Sequence, residues 1–168
     1  MNNKIELLAP AGNMEKLKTA IYFGADAVYM GGQSFSLRSF SQNFSEDEIF
    51  EAAKYAHDFG KKLYVTVNIF ARDKDFGEMK EYLSRLENAE VDAVIVSDLG
   101  VMDLVLNDFP KLDVHVSTQA NTTNARTIDF YARLGAKRVI LARELSLDEI
   151  KAIKNNLKTD IELEAFVH

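Results

Sequence analysis

Cysteine is absent from this 168-residue chain. That excludes disulfides within it and any metal site built on thiolates of its own. Histidine is scarce, with three in all, His57, His115 and His168, so little imidazole is on hand for acid–base work or metal binding. No apolar run is long enough to cross a bilayer. Met1-Asn2-Asn3-Lys4 leads straight into a strand pattern and lacks the apolar core of a signal peptide. A soluble cytoplasmic protein is expected. Positive charge is not in excess either: 20 Lys and Arg face 26 Asp and Glu, a net of −6. A free-standing nucleic-acid binder usually shows a basic face, so the acidity argues against that class, though not against an RNA substrate recognised partly by another domain. Linkers and low-complexity stretches are missing as well, and residues 1–168 read as one domain.

What is present is enough apolar content, 47%, for a single-domain core, and polar residues gathered at the downstream ends of strand-like runs. Leu63-Tyr64-Val65-Thr66-Val67 ends in Asn68, and Ala93-Val94-Ile95-Val96 ends in Ser97-Asp98. Val114-His115-Val116 runs into Ser117-Thr118-Gln119, Val139-Ile140-Leu141-Ala142 into Arg143-Glu144, and Ala165-Phe166-Val167 into His168. In a sheet of parallel strands these ends share one rim, where the strands fix positions while the loops vary.

Seven strand-then-helix steps are expected, the last strand without a helix after it. The strands fall at residues 5–9, 27–30, 63–68, 93–97, 113–117, 138–142 and 161–167. Asn13 caps the first helix, Ser45-Glu46-Asp47-Glu48 and Ser146-Leu147-Asp148-Glu149 are capping boxes, and Gly24, Gly60 and Gly135 close helices. The helical stripes are Leu17, Ala20 and Ile21, then Ile49, Ala53, Ala56 and Phe59, then Phe76, Met79, Leu83 and Leu86. A helix over 101–108 follows, and the last two helices carry Ile128, Tyr131 and Leu134, and Ile150, Ile153 and Leu157. Gly24-Ala25-Asp26-Ala27-Val28, Val91-Asp92-Ala93-Val94 and Gly135-Ala136-Lys137-Arg138-Val139 form a loose repeat, each joining a helix end to the next strand.

Strands of an open, doubly covered sheet tend to be apolar throughout. Here Tyr64, Thr66 and Asn68 share a face, as do His115, Ser117 and Gln119, and Glu162, Glu164, Phe166 and His168. Polar groups on one face of alternate strands suit the layered interior of a TIM-like (β/α) barrel; the open parallel sheet is the alternative. A complete eight-stranded barrel takes roughly 250 residues. The chain therefore reads as a barrel stopped after its seventh strand: either it is a fragment of a longer protein or the fold is an unusually small one. Strand edges left without a neighbour would lead it to self-associate.

No catalytic residue is fixed by the pattern; the candidates are His115, His168 and Asp98. Hydrolysis needs a nucleophile, a base and an orienting group within hydrogen-bond reach. His115 shares a strand face with Ser117, but two residues along a strand make no triad, and a structural hydrogen-bonding role for His115 is the more ordinary outcome. His57 reads as a solvated residue on the polar side of its helix. Nothing has the spacing of His-Glu-x-x-His, and no metal site is expected. Gly31-Gly32 lacks the spacing of a phosphate-binding motif and reads first as a turn. Arg38, in the long loop after the second strand, and Arg143, at the end of the sixth, project towards the rim, where a guanidinium grips a carboxylate or phosphate. The alternative for Arg143 is a local pair with Glu144 or Asp98. Asn68, Ser117, Gln119, Asn121 and Glu144 complete the expected ligand-binding set.

Glu6-Leu7-Leu8-Ala9-Pro10-Ala11-Gly12-Asn13 and Gly24-Ala25-Asp26-Ala27-Val28-Tyr29 resemble the start of the collagenase-like peptidase family of unclassified mechanism. The likeness continues through Ser36-Leu37-Arg38, Val67-Asn68, Ser117-Thr118-Gln119-Ala120-Asn121 and Arg143-Glu144-Leu145-Ser146, and ends with Glu164-Ala165-Phe166-Val167-His168. It is greatest for the branch linked to prephenate-dependent hydroxylation of tRNA wobble uridine. The resemblance implies a barrel-like catalytic part and, in a longer parent, cysteines that hold an iron–sulfur cluster. It also implies tRNA and a small anion such as prephenate as partners, with no membrane. This chain has no cysteine, so it would carry no cluster and be inactive alone. A peptidase, as the family label suggests, and a non-catalytic binding fragment are the other readings.

Overall fold

In a computed structural model, residues 5–36 and 43–167 are described. Seven strands and six helices alternate among them: β1 Leu8–Pro10, α1 Met14–Tyr22, β2 Ala27–Gly31, α2 Glu46–Asp58, β3 Lys62–Val67, α3 Phe76–Asn88, β4 Ala93–Val96, α4 Leu99–Asp108, β5 Asp113–Val116, α5 Ala125–Leu134, β6 Arg138–Ile140, α6 Leu147–Asn156 and β7 Glu162–Glu164. The strands are all parallel and lie in sequence order across one sheet.

Strand alternation divides the side chains between two faces. Val28, Met30, Leu63, Val65, Val94, Val114 and Val139 point outward into the main core. There they meet Leu17, Ile49, Met79, Leu83, Val101, Ile128 and Ile153 of the helices. Ala27, Tyr64, Ala93, Ile95 and Ile140 point the other way into a second, smaller cluster, with Leu8, Tyr29 and Phe166 against it. Helices therefore cover one face only. Glu6, just ahead of β1, receives a hydrogen bond from Arg138 of β6 at 2.7 Å and from Tyr64 of β3 at 2.9 Å. Those contacts bring the two sides of the sheet together across its concave face. The result is a TIM-like half-barrel, and the open-sheet alternative does not form.

Local chemistry sets the helix starts. The Asn13 side chain accepts from the Lys16 amide at 2.9 Å, and Ser45–Glu48 and Ser146–Glu149 form reciprocal capping boxes. Helix α4 begins at Leu99, two residues before its expected start, because Asp98 Oδ1 accepts from the amides of Gly100 and Val101 at 2.8 and 3.0 Å. Gly135 closes α5 at φ 118°, a left-handed conformation that other side chains resist. Two stripe residues differ from expectation. Phe59 is 56% exposed and Leu134 45% exposed, because each stands at the helix end, beyond the surface that packs on the sheet. His57 is no free surface residue: its Nε2 lies 3.0 Å from Asp92 Oδ2.

Several strands are shorter than the apolar runs that encode them. The seventh run, expected over 161–167, pairs only at Glu162–Glu164, and the sixth, expected over 138–142, only at Arg138–Ile140. Beyond Ile140 the Leu141 amide still bonds Glu164 O at 2.8 Å, and the chain then turns to the rim, where the Ala142 amide bonds Thr122 O at 3.1 Å.

Candidate functional site

A cleft of about 190 Å³ opens at the downstream ends of the strands. Tyr29, Ile95, Ile140 and Phe166 give it apolar walls, and Asn68, Thr66, Ser117 and Gln119 a polar lip. Two charged residues line it, Arg143 and Glu164. The Arg143 guanidinium lies 4.4 Å from the centre of the Phe166 ring. Among the described residues no carboxylate comes within ion-pair distance of it, so the alternative pairing with Glu144 or Asp98 does not occur. A stacked guanidinium keeps its five donors for a further partner, and a planar carboxylate or phosphate matches that fork. Across the lip, Asn68 Nδ2 donates to Gln119 Oε1 at 2.7 Å.

Beneath the cleft, inside the half-barrel, Arg138 is shared by three carboxylates. Its Nη1 is 2.7 Å from Glu6 Oε1 and 3.4 Å from Glu164 Oε2, and its Nε is 2.8 Å from Glu162 Oε2. Lys62 adds a second cation 3.8 Å from Glu6. Burial works against the charge on Arg138, but hydrogen bonds to Glu6 and Glu162 outweigh it and keep the guanidinium firmly protonated. Burial also pushes Glu6 upward, yet the hydrogen bonds from Arg138 and Tyr64 win and hold its carboxyl below the usual range. Glu164 goes the other way. Burial raises it, the long contact to Arg138 offsets this only partly, and Glu6 and Glu162 add to the rise.

The expected site residues divide. Asn68, Ser117, Gln119 and Arg143 come together in the cleft wall. Glu144 and Asn121 are exposed and stand outside it; Asn121, at φ 52°, ends the short 3-10 turn Thr118–Ala120. Asp98 also stands outside, its carboxylate engaged in capping α4. Arg38 and His168 lie outside the described residues. His115 is 4% exposed, and its ring meets Tyr64 edge-on at 4.6 Å. Burial, then Arg138 and Lys62, lower its pKa to about 3, so it is neutral at ordinary pH and a feeble proton acceptor. Its Nδ1 finds no partner, and Ser117 Oγ accepts from the Gln119 amide instead of donating to His115. The nucleophile–base pair of a serine hydrolase is therefore not assembled among the described residues.

Three residues of the cleft and the interior beneath it were not singled out from sequence. Glu164 and Phe166 read only as alternating residues of the last strand, and Arg138 only as the start of the sixth. The signal was a charged residue, Arg138, in the same inward register as Ile140. As for the iron–sulfur cluster that the resemblance implies, the chain has no thiolate. Among the described residues no three His, Asp or Glu side chains gather closely enough to hold a metal ion. The residues present do not fit such a group.

The sequence profile described as peptidase family U32 matches residues 12–168. The tRNA hydroxylation protein P1 of Bacillus subtilis is 44% identical over 168 residues, which is 100% of this chain and 39% of that protein. An uncharacterized protease of Methanocaldococcus jannaschii is 50% identical over 167 residues, 98% of this chain and 40% of that protein. The chain thus spans about two fifths of the length of these relatives. Among solved structures, the U32 peptidase Mk0906 superposes with a TM-score of 0.80 over 98% of this chain and 69% of that one; at 18% identity, the likeness is one of fold.

Proposed function

This chain belongs to peptidase family U32, and from that membership and the cleft we propose that it is the barrel portion of an RNA-hydroxylating protein, not a protease. The observation that carries the reading is Arg143, stacked on Phe166 at the mouth of the cleft with no acid paired to it among the described residues. The cleft is well below the 300–1,000 Å³ usual for drug-sized ligands. A space of this size suits a single small anion or one base better than an extended peptide. A relative named for tRNA hydroxylation supports RNA as the substrate class. Prephenate is the small anion we propose, held by Arg143, with wobble uridine of tRNA as the target. The oxidative chemistry, and any iron–sulfur cluster that supplies it, would depend on residues outside this chain.

The acidic balance of −6 fits an RNA gripped mainly by another part of the protein. The cytoplasm is the compartment this substrate implies. No helix among the described residues is long and apolar enough to cross a membrane. The peptidase reading has the family label and a relative's name behind it, but the nucleophile, base and orienting group it needs do not converge among the described residues.

Calorimetric titration of the purified protein with prephenate tests the clamp. Charge-assisted hydrogen bonds contribute roughly 1.5–3 kcal/mol, so Arg143→Ala should weaken binding about ten- to a hundredfold. The thermal melt should not move, since an exposed rim residue adds little to the core. Equal affinity in the variant would contradict the clamp. Lost affinity with a collapsed melt would assign Arg143 a structural role instead.

A further inference from the structure

Glu164 and Arg143 line the same small cleft, and Phe166, the next inward residue after Glu164, is the ring on which Arg143 rests. An anion drawn in by Arg143 therefore arrives beside a carboxyl group. If that carboxyl were ionised it would repel the ligand, and the low-dielectric cleft would make the repulsion severe. The interior is built so that it need not be. Glu6, Glu162 and Glu164 share the one guanidinium of Arg138, and Lys62, 3.8 Å from Glu6, adds its charge on the side of Glu6. The contact of Arg138 with Glu164, at 3.4 Å, is the longest of the three.

We propose that Glu164 is the second anion-contacting group of the cleft: it meets the ligand as a neutral carboxylic acid whose O–H donates to the anion, so that each anion bound brings one proton with it from solvent. This rests on the reading of Arg143 as an anion clamp. The groups that face Glu164 are Glu6 ahead of β1, Tyr29 of β2, Lys62 and Tyr64 of β3, His115 of β5, Arg138 of β6 with Arg143 beyond it, and Glu162 of β7. Strand β4 presents Ala93 and Ile95, which do not titrate. Arg138 stays charged, His115 stays neutral with a pKa of about 3, and burial holds Tyr64 in its phenol form. Glu6 is anchored as a carboxylate by Arg138 and Tyr64, and Glu162 takes two of the Arg138 donors, Nε and Nη2. Glu164, whose pKa burial already raises, is the acid that lines the cleft and can take the proton. The linkage is reciprocal: an anion raises the proton affinity of Glu164 further, and a proton on Glu164 raises the affinity for the anion.

The deciding experiment is calorimetry of prephenate and of inorganic sulfate, which takes up no proton itself in this range, between about pH 6 and pH 9, in buffers of unlike ionisation heat. Wild-type protein should take up protons as the anion binds, and its affinity should fall as pH rises. Glu164→Gln, a neutral mimic of the acid, should bind with no proton uptake and with an affinity indifferent to pH. Side-chain carboxyl NMR of the wild type should show Glu164 moving to its protonated shift as sulfate is added, which decides the matter should the variant fold poorly. Binding without proton uptake, or uptake that persists in Glu164→Gln, overturns this inference and leaves the Arg143 clamp standing. Failure of the wild type to bind either anion overturns both.

Discussion

Inside the half-barrel the Arg138 side chain is 8% exposed and in contact with Glu6, Glu162 and Glu164. Removing one partner from a buried charge cluster typically costs about 3–5 kcal/mol, because the remaining charges lose their compensation. Arg138→Met should therefore lower unfolding free energy by about that amount at pH 7, read by urea titration. The deficit should shrink towards pH 4–5, roughly where carboxylates begin to protonate and no longer need the guanidinium. A deficit that is small or insensitive to pH would contradict the account. For the wild type the signs are opposed. Glu6, Glu48, Asp129 and Glu149 all have lowered pKa values, so each adds stability above its unfolded value that is lost as pH falls through the folded one. Glu164 is raised, so it subtracts stability as pH rises through its folded value. Stability should thus drop below about pH 4, and Glu164→Gln should be neutral or stabilising at pH 8. None of this interior was legible residue by residue. Arg138 meets its acids only once the sheet curls and the β6–β7 register is set, and both depend on contacts between distant strands.

Elements divide by how local their cause is. Helix starts were readable because a cap is decided within four residues, as at Asn13, Ser45 and Ser146. Strand ends were not, because pairing stops where a neighbour's backbone departs, as beyond Ile140 and Glu164. The polar ends of the apolar runs were nevertheless the right guide to the cleft: Asn68, Ser117, Gln119 and Arg143 all line it. Asp98 belonged to the same pattern but serves α4, since a helix begins one residue after it. At the start of α5 the Asn124 side chain likewise accepts from the Thr127 amide at 3.0 Å. A cap is worth about 1 kcal/mol, so Asn13→Ala and Asn124→Ala should each cost that much, and the double variant about the sum. Chemical denaturation measures it; a negligible change in both would mean that tertiary packing alone holds α1 and α5 in place.

At the scale of the whole molecule, β1 and β7 each have one strand neighbour among the described residues. An edge with unpaired backbone groups recruits other chains, so we expect the 18.9 kDa chain to self-associate in solution. Light scattering that gave a strictly monomeric mass at high concentration would contradict this. The fold, a parallel half-barrel with its cleft at the strand ends, was legible because alternation along β3, β5 and β7 separates an inner polar face from an outer apolar one. The chemistry was less so, since Arg143, the proposed anion clamp, acquires its meaning from a ring just beyond the next strand. The central claim is that this cleft acts in RNA hydroxylation. Mass spectrometry of tRNA nucleosides tests it most directly, in cells that lack the protein and are complemented with the wild type or with Arg143→Ala at equal protein level. The account predicts that hydroxylated uridine disappears without the protein, returns with the wild type and fails to return with the variant. Hydroxylated uridine that persists without the protein, or that Arg143→Ala restores in full, would contradict it.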